Sequence, residues 1–179
     1  DKPQVEFNIE GYPSEDFIKM VLEVCPDQCT LVPDSPGQLT SDHGWNIPEN
    51  QFVLQQVLSE LRESGVRSSL FLDPDPEMVG HVTRVAADRI ELYTENFANH
   101  HAGPQQEAVF ERYRAAAQKA GQLGIGINAG HDLDLQNLTK FLQIPNILEV
   151  SIGHALIVES LQLGVTEVIK RYLAIVDAS

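Results

Sequence analysis

Three places in the chain put residues that can move protons or hold an anion at the ends of short apolar runs. Glu10 follows the first run, in Phe7-Asn8-Ile9-Glu10-Gly11. A carboxylate at the C-terminal end of a parallel strand points into the mouth of a β/α fold, where partial burial raises its pKa toward a useful general base. The same position also suits a solvated turn carboxylate. Asn128-Ala129-Gly130-His131 ends the fifth run. Its small residues let the backbone turn sharply and present His131, an acid or base near neutral pH; a loop histidine held by hydrogen bonds reads the same way. Ser151-Ile152-Gly153-His154 joins the sixth run to a helical stretch. Gly153 permits close approach of a ligand, and the free N–H groups of a helix start can hold a phosphate. The plainer reading is a tight turn with His154 as a cap.

Other residues carry weaker signals. A loop rich in Pro, Gly, Ser and Asp spans 33–44, and its Thr40 and Ser41 can donate to a phosphate or hydroxyl. Long ordered loops of this kind serve as lids or clamps; otherwise the segment caps the barrel rim with Trp45. Asp73-Pro74-Asp75-Pro76 is explained by a helix start, with Asp75 as N-cap and Pro76 at the first helical position. His100 and His101 lack a third ligand at metal-binding spacing. Cys25 and Cys29, spaced C-x3-C, read as two buried structural thiols of a reducing cytoplasm.

The elements that must position these groups alternate. Apolar runs over 5–9, 28–32, 66–72, 89–93, 124–128 and 148–152 predict six strands, separated by segments with helical periodicity. Ser14 is placed to cap a helix with Phe17, Ile18, Val21 and Leu22 on one face. Helices are predicted over 48–63, with Phe52, Val53, Val57, Leu58 and Leu61 facing inward, and through Met78, Val79, Val82 and Val85. Further helices are predicted over 105–123, 134–142, 155–161 and 165–176, with a long loop over 96–104. Strand–helix alternation predicts a parallel sheet with helices outside. No Gly-rich dinucleotide fingerprint follows the first strand, and polar residues gather at strand ends. Both features favour a TIM (β/α)8 barrel over a doubly wound sheet. Six of its eight β/α units are visible, so residues 1–179 read as a single barrel domain lacking its N-terminal units.

The formal net charge of -14 argues against a nucleic-acid partner, whose phosphates need clustered Lys and Arg. No apolar run approaches the roughly 20 residues of a membrane span, so no membrane partner is expected.

Taken together, Asn8 to Glu10, Leu31-Val32-Pro33, Ser69 to Asp73, Asn128 to His131 and Ile152-Gly153-His154-Ala155 resemble the pyridoxine 5'-phosphate synthase family across essentially the whole chain. The resemblance implies a (β/α)8 barrel forming homo-oligomers, octamers in that family. It implies phosphorylated small-molecule substrates, 1-deoxy-D-xylulose 5-phosphate and 3-amino-2-oxopropyl phosphate, with inorganic phosphate among the products. It implies no metal and no organic cofactor. By motif, Glu10 matches the family's proton acceptor and His131 its proton donor, while Thr40, Asp132, Gly153 and His154 match substrate contacts. Three stretches depart from the pattern: Asp34-Ser35-Pro36 replaces Glu-Lys-Arg, Thr40-Ser41-Asp42-His43-Gly44 replaces Thr-Thr-Glu-Gly-Gly, and Asp132 stands where the family has Gly.

Two other readings fit the same elements. One is a different phosphate-handling barrel, an isomerase or an aldolase. An aldolase wants a Schiff-base lysine at a strand end, whereas Lys19, Lys119, Lys140 and Lys170 fall on predicted helices. The other is a non-catalytic truncated barrel that binds without turnover.

Overall fold

A computed structural model describes residues 5–34 and 41–179. Its six strands are β1 (Asn8–Gly11), β2 (Gln28–Leu31), β3 (Arg67–Leu72), β4 (Arg89–Tyr93), β5 (Gly126–Gly130) and β6 (Ile147–Ser151). They form a single parallel sheet in the order β1-β2-β3-β4-β5-β6. Each strand pairs with the next in sequence, with no reversal of direction across the sheet, so the doubly wound alternative is excluded. Eight helices lie among the described residues. They are α1 (Glu15–Val24), α2 (Ile47–Glu63), α3 (Pro76–Val85), α4 (Glu95–His100), α5 (Gln106–Gln122), α6 (Leu138–Phe141), α7 (His154–Leu163) and α8 (Val165–Asp177).

The sheet curls. Gln28 Nε2 on β2 lies 3.4 Å from Glu149 Oε1 on β6, four strands away. In a flat sheet those strands would stand about 19 Å apart. Curling gives the strands two unlike faces. The outer face carries Cys29, Leu31, Leu70, Leu72, Ile90, Leu92, Ile127 and Ala129, all fully buried. Helices cover it with Leu54, Leu58 and Leu61 of α2, Val79 and Val82 of α3, and Tyr113 with three alanines of α5. Between α4, α5 and α6, Phe97, Phe110, Tyr113 and Phe141 pack edge to face, the closest pair with ring centroids 5.1 Å apart.

The inner face is polar. Thr30 Oγ1 donates to Asn8 Oδ1 at 3.3 Å, and Arg67 Nε donates to Gln28 Oε1 at 2.9 Å. Arg89 Nη1 donates both to Asn128 Oδ1 at 3.1 Å and to Glu149 Oε2 at 3.0 Å. Barrel interiors are ordinarily filled by branched apolar layers; here hydrogen-bonding side chains fill the same space.

Helix starts follow local chemistry. Ser14 accepts from Phe17 N at 3.2 Å and Asp75 from Glu77 N at 2.8 Å, each satisfying a donor that no helical carbonyl reaches. Trp45 is buried at the rim, where its Nε1 donates to Leu31 O at 2.8 Å.

Several expectations need correction. Phe52 and Val53 face solvent, 79% and 50% exposed, whereas Val57, Leu58 and Leu61 are buried as expected, joined by Ile47 and Leu54. Cys25 is exposed, because it occupies the left-handed C-cap of α1 with φ 49°. Cys29 is buried as expected, and burial, helped by the charge of Glu10, pushes its thiol up to about 12. The helix predicted over 134–142 shortens to α6, because Asp134 Oδ1 accepts from the backbone of Gln136 and Asn137 at 2.9 and 2.8 Å and holds a turn there. The loop predicted over 96–104 contains most of α4.

Candidate active site

At the C-terminal ends of the strands a cavity of about 320 Å³ is lined by Glu10, Glu91, His131, Asp132, Ser151, Gly153 and His154. Five of the six residues singled out by motif therefore meet in one place. The sixth, Thr40, lies outside the described residues.

Glu10 is the third residue of β1 and shares register with Thr30. It keeps access to solvent, yet the protein packed around its carboxyl raises its pKa above the ordinary carboxylate value, and the charge of Asp34 adds to the rise. Asp34 is itself held by the Ser41 hydroxyl, which ties the described ends of the loop after β2 together.

His131 begins the segment after β5 and takes φ 83°; Asp132 follows at φ 57°. Two consecutive non-glycine residues in the left-handed region cost energy that the surroundings must offset. The carbonyls of Gly130 and His131 both lie against Thr94 Oγ1, the first at 2.6 Å, and Asn137 Nδ2 donates to Asp132 O at 3.0 Å. The imidazole stands edge-on to Phe71 and Tyr93, with ring centroids 5.3 and 5.1 Å away. The ring is thus aimed by packing and its backbone is pinned from two sides.

Gly130 does not supply the sharp turn expected of it; its neighbours do. It supplies room. A Cβ at this position would lie 2.1 Å from Glu91 Oε1 and 3.2 Å from Ser151 Cβ. Gly130→Ala is expected to destabilise the fold by about 1–3 kcal/mol through overpacking. An unchanged denaturation midpoint would contradict this account of the glycine.

Glu91 was not among the residues that sequence reasoning selected. It lies inside β4, in Ile90-Glu91-Leu92, where a charge between apolar neighbours reads as the solvent side of a strand. The curl turns that side inward, and Glu91 is 1% exposed. Burial first, then the charges of Glu10 and Glu149, push its pKa up to about 8, partly offset by the Thr30 hydroxyl. The available signal was the polar alternation Arg89, Glu91, Tyr93 in a strand whose other face is also buried.

The far wall is the start of α7. Gly153 is its N-cap, with no side-chain cap, and a Cβ there would meet nothing within 4 Å. His154 is the first helical residue rather than the cap. The N–H groups of the first turn have no carbonyl within the helix to bind, and Gly153 and His154 line the cavity with Glu10, Glu91 and His131. Among the described residues no group of three or more His, Cys, Asp or Glu is arranged to hold a metal ion.

A curled parallel sheet with carboxylates and a histidine at its strand ends around one cavity has the architecture of part of a β/α barrel, whose enzymes carry their sites at that end. The solved structures with similar folds agree on the architecture. The citrate synthase SbnG matches with a TM-score of 0.58 at 12% identity, over 97% of this chain and 74% of that one. A structure described as native KDPGal matches with a TM-score of 0.55 at 11% identity, over 93% and 68%. At these identities the likeness concerns the fold alone.

Sequence comparison goes further. The profile of the family described as pyridoxal phosphate biosynthesis protein PdxJ matches residues 1–178. The pyridoxine 5'-phosphate synthase of Flavobacterium johnsoniae is 50% identical over 169 residues, covering 94% of this chain and 71% of that protein. That of Bacteroides thetaiotaomicron is 50% identical over 171 residues, with the same coverage. That of a Chelativorans species is 43% identical over 180 residues, covering 98% and 73%. The chain belongs to the PdxJ family.

Proposed function

We propose that this protein is a pyridoxine 5'-phosphate synthase, condensing 1-deoxy-D-xylulose 5-phosphate with 3-amino-2-oxopropyl phosphate and releasing inorganic phosphate and water. The observation that carries the reading is the single cavity that brings Glu10, Glu91 and His131 together beside the start of α7. Family membership supplies the substrates.

The residues suit the chemistry. Joining an amine to a ketone and closing an aromatic ring requires several proton transfers to and from carbon and oxygen. Glu10, with a raised pKa and solvent access, takes a carbon-bound proton as general base. His131, aimed by Phe71 and Tyr93, gives a proton to departing oxygen. Glu91, protonated at neutral pH, donates a hydrogen bond to developing negative charge. The first-turn N–H groups at Gly153 and His154 hold a substrate phosphate so that the reacting carbons meet. Thr40 and the backbone of Asp132 contact the second substrate. Asp132 is exposed at the cavity wall, and its carboxylate disfavours an anion placed directly against it.

The six β/α units are six of the eight of a closed (β/α)8 barrel forming one domain. In support, β1 and β6 are both open edges of the sheet, and an open edge is ordinarily covered or paired. Exposed apolar residues on α7 and α8, Leu161 at 85% and Leu173 at 56% among them, supply surface for the remaining units and for a homo-oligomer. No helix among the described residues is long and apolar enough to cross a membrane, which suits a cytoplasmic enzyme. None of the described lysines lies at a strand end, so nothing supports Schiff-base aldolase chemistry.

Incubating the protein with both phosphorylated substrates is expected to produce pyridoxine 5'-phosphate, read by mass, together with inorganic phosphate. Release of neither product overturns the reading.

A further inference from the structure

Beneath the cavity lies a second layer of charge that the reaction itself does not touch. Arg89, one inward position below Glu91 on β4, reaches across β5 to Asn128 and on to Glu149 of β6. Its path is specific. A Cβ at Gly126 would lie 2.7 Å from Arg89 Cγ, so the missing side chain is what lets the guanidinium cross the strand. Gly126 and Gly130 thus form two slots on β5, one for each long side chain of β4. The β5–β6 pairing shifts register between Ile127 and Asn128, which sets Glu149 opposite Asn128 and leaves Leu148 as the extra residue, 60% exposed. Without that shift Glu149 would point away from the lumen, because neighbouring strand residues alternate faces. Gln28 closes the arrangement from β2, donating to both Glu149 oxygens at 3.4 and 3.5 Å.

This machinery fixes one carboxylate in place below another. Glu91 pairs in register with Asn128, and Asn128 with Glu149, so the two acids stand two strands apart, about 10 Å at the backbone. Curling brings their inward side chains closer. Glu91 Oε2 and Asn128 Nδ2 are buried without a hydrogen-bond partner among the described residues, and the Thr30 hydroxyl is the donor that acts on the Glu91 carboxyl. We propose that the Arg89–Glu149 pair is a positioning device for the active site: crossing β5 through the Gly126 slot, it fixes the Glu149 carboxylate on the lumen side of β6, two strands from Glu91, where its charge adds to those that Glu91 faces. The assignment of roles to Glu10 and Glu91 rests on the proposed synthase reading; the coupling of charges does not.

The groups facing Glu91 are few. Glu10 comes from β1, Arg89 and Tyr93 from β4 itself, His131 and Asp132 from the segment after β5, Glu149 from β6 and His154 from α7. β2 and β3 present Thr30, Ser69 and Phe71, with Gln28 and Arg67 lower on the same face. Glu149 raises the cost of ionising Glu91, and Arg89, bonded to Glu149, reduces that effect. The two members therefore act on Glu91 in opposite directions.

The test is carboxyl-carbon NMR of the whole protein, with the Glu91 signal assigned by its loss in Glu91→Gln. Glu149→Gln, nearly the same shape, is expected to shift the Glu91 midpoint to lower pH, and Arg89→Met to higher pH. Arg89→Lys, which keeps the charge, is expected to stay near the parent. Where Arg89→Met fails to fold, the Glu149→Gln and Arg89→Lys titrations decide. Midpoints that do not move, or that move the same way in Glu149→Gln and Arg89→Met, overturn the proposal. Because the readout is protonation, its failure is distinct from a failure to make product. In a catalytically active sample the alkaline limb of the rate profile is expected to follow the same two shifts.

Discussion

Glu10→Gln is expected to reduce turnover by roughly 10²- to 10⁴-fold, the usual contribution of a positioned general base. The amide keeps the shape of the side chain and removes its basicity, so substrate binding is expected to change far less than rate. The parent enzyme carries the matching signature in its pH profile. A base works only when deprotonated, and burial together with Asp34 holds the Glu10 pKa above the ordinary carboxylate value. The rate is therefore expected to fall on the acid side at a higher pH than an unperturbed carboxylate would give. Steady-state kinetics across pH check both points. A Glu10→Gln variant with parental turnover would remove Glu10 from the mechanism. Its removal also takes away a negative charge that acts on Glu91 and Cys29, so both of those groups are expected to ionise at lower pH in the variant.

The second large effect concerns stability and has the opposite sign. Glu91→Gln is expected to stabilise the folded protein while impairing the reaction. Glu91 rises from 4.5 to about 8 on folding. Its folded pKa exceeds the unfolded one, so the folded state holds the proton more tightly. Stability is full below the unfolded value and is lost as pH rises toward about 8, beyond which the loss is complete. At neutral pH the cost is about 3 kcal/mol, taking 1.36 kcal/mol for each pH unit above the unfolded pKa. Glutamine has no proton to lose and escapes that cost. Urea denaturation at about pH 5 and about pH 8 is expected to give curves that nearly coincide at the lower pH and diverge at the higher. Parallel curves at both values would mean that Glu91 ionises freely in the folded state. A residue that destabilises its own fold at working pH is characteristic of function, where local consistency gives way to chemistry.

The sequence made some of this legible and hid the rest for identifiable reasons. β4 was read at its observed bounds, because Ile90 and Leu92 alternate with polar residues and Gly and Pro are absent from the run. β5 was placed two residues early. Gly124 and Ile125 belong to the turn out of α5, where Gly124 takes φ 71° and Ile125 N binds Ala120 O at 3.0 Å. The shift matters, because it moves Gly130 into the strand and leaves His131 as the first residue beyond it. α4 was missed because a six-residue polar helix has almost no periodicity, and Phe97 is its sole buried anchor. Glu10, His131, Gly153 and His154 were legible because strand ends can be located from hydrophobic runs. Glu91, Arg89 and Glu149 were not. Their role depends on the sheet being curled, and curvature leaves no mark on a single strand.

The order of the strands bears on how the site comes into being. Every strand pairs with its neighbour in sequence, so the sheet grows by closing short loops in succession, each at a modest entropic cost. The contacts across the lumen are of another kind: Gln28 and Glu149 are separated by 121 residues. Glu10 lies on the first strand, His131 after the fifth and the start of α7 after the sixth. A chain part-way through synthesis can thus hold a nearly finished hydrophobic layer while its acid, its base and its anion-holding turn are still strangers. The site's residues meet only once β1, the segment after β5 and the start of α7 are all in place.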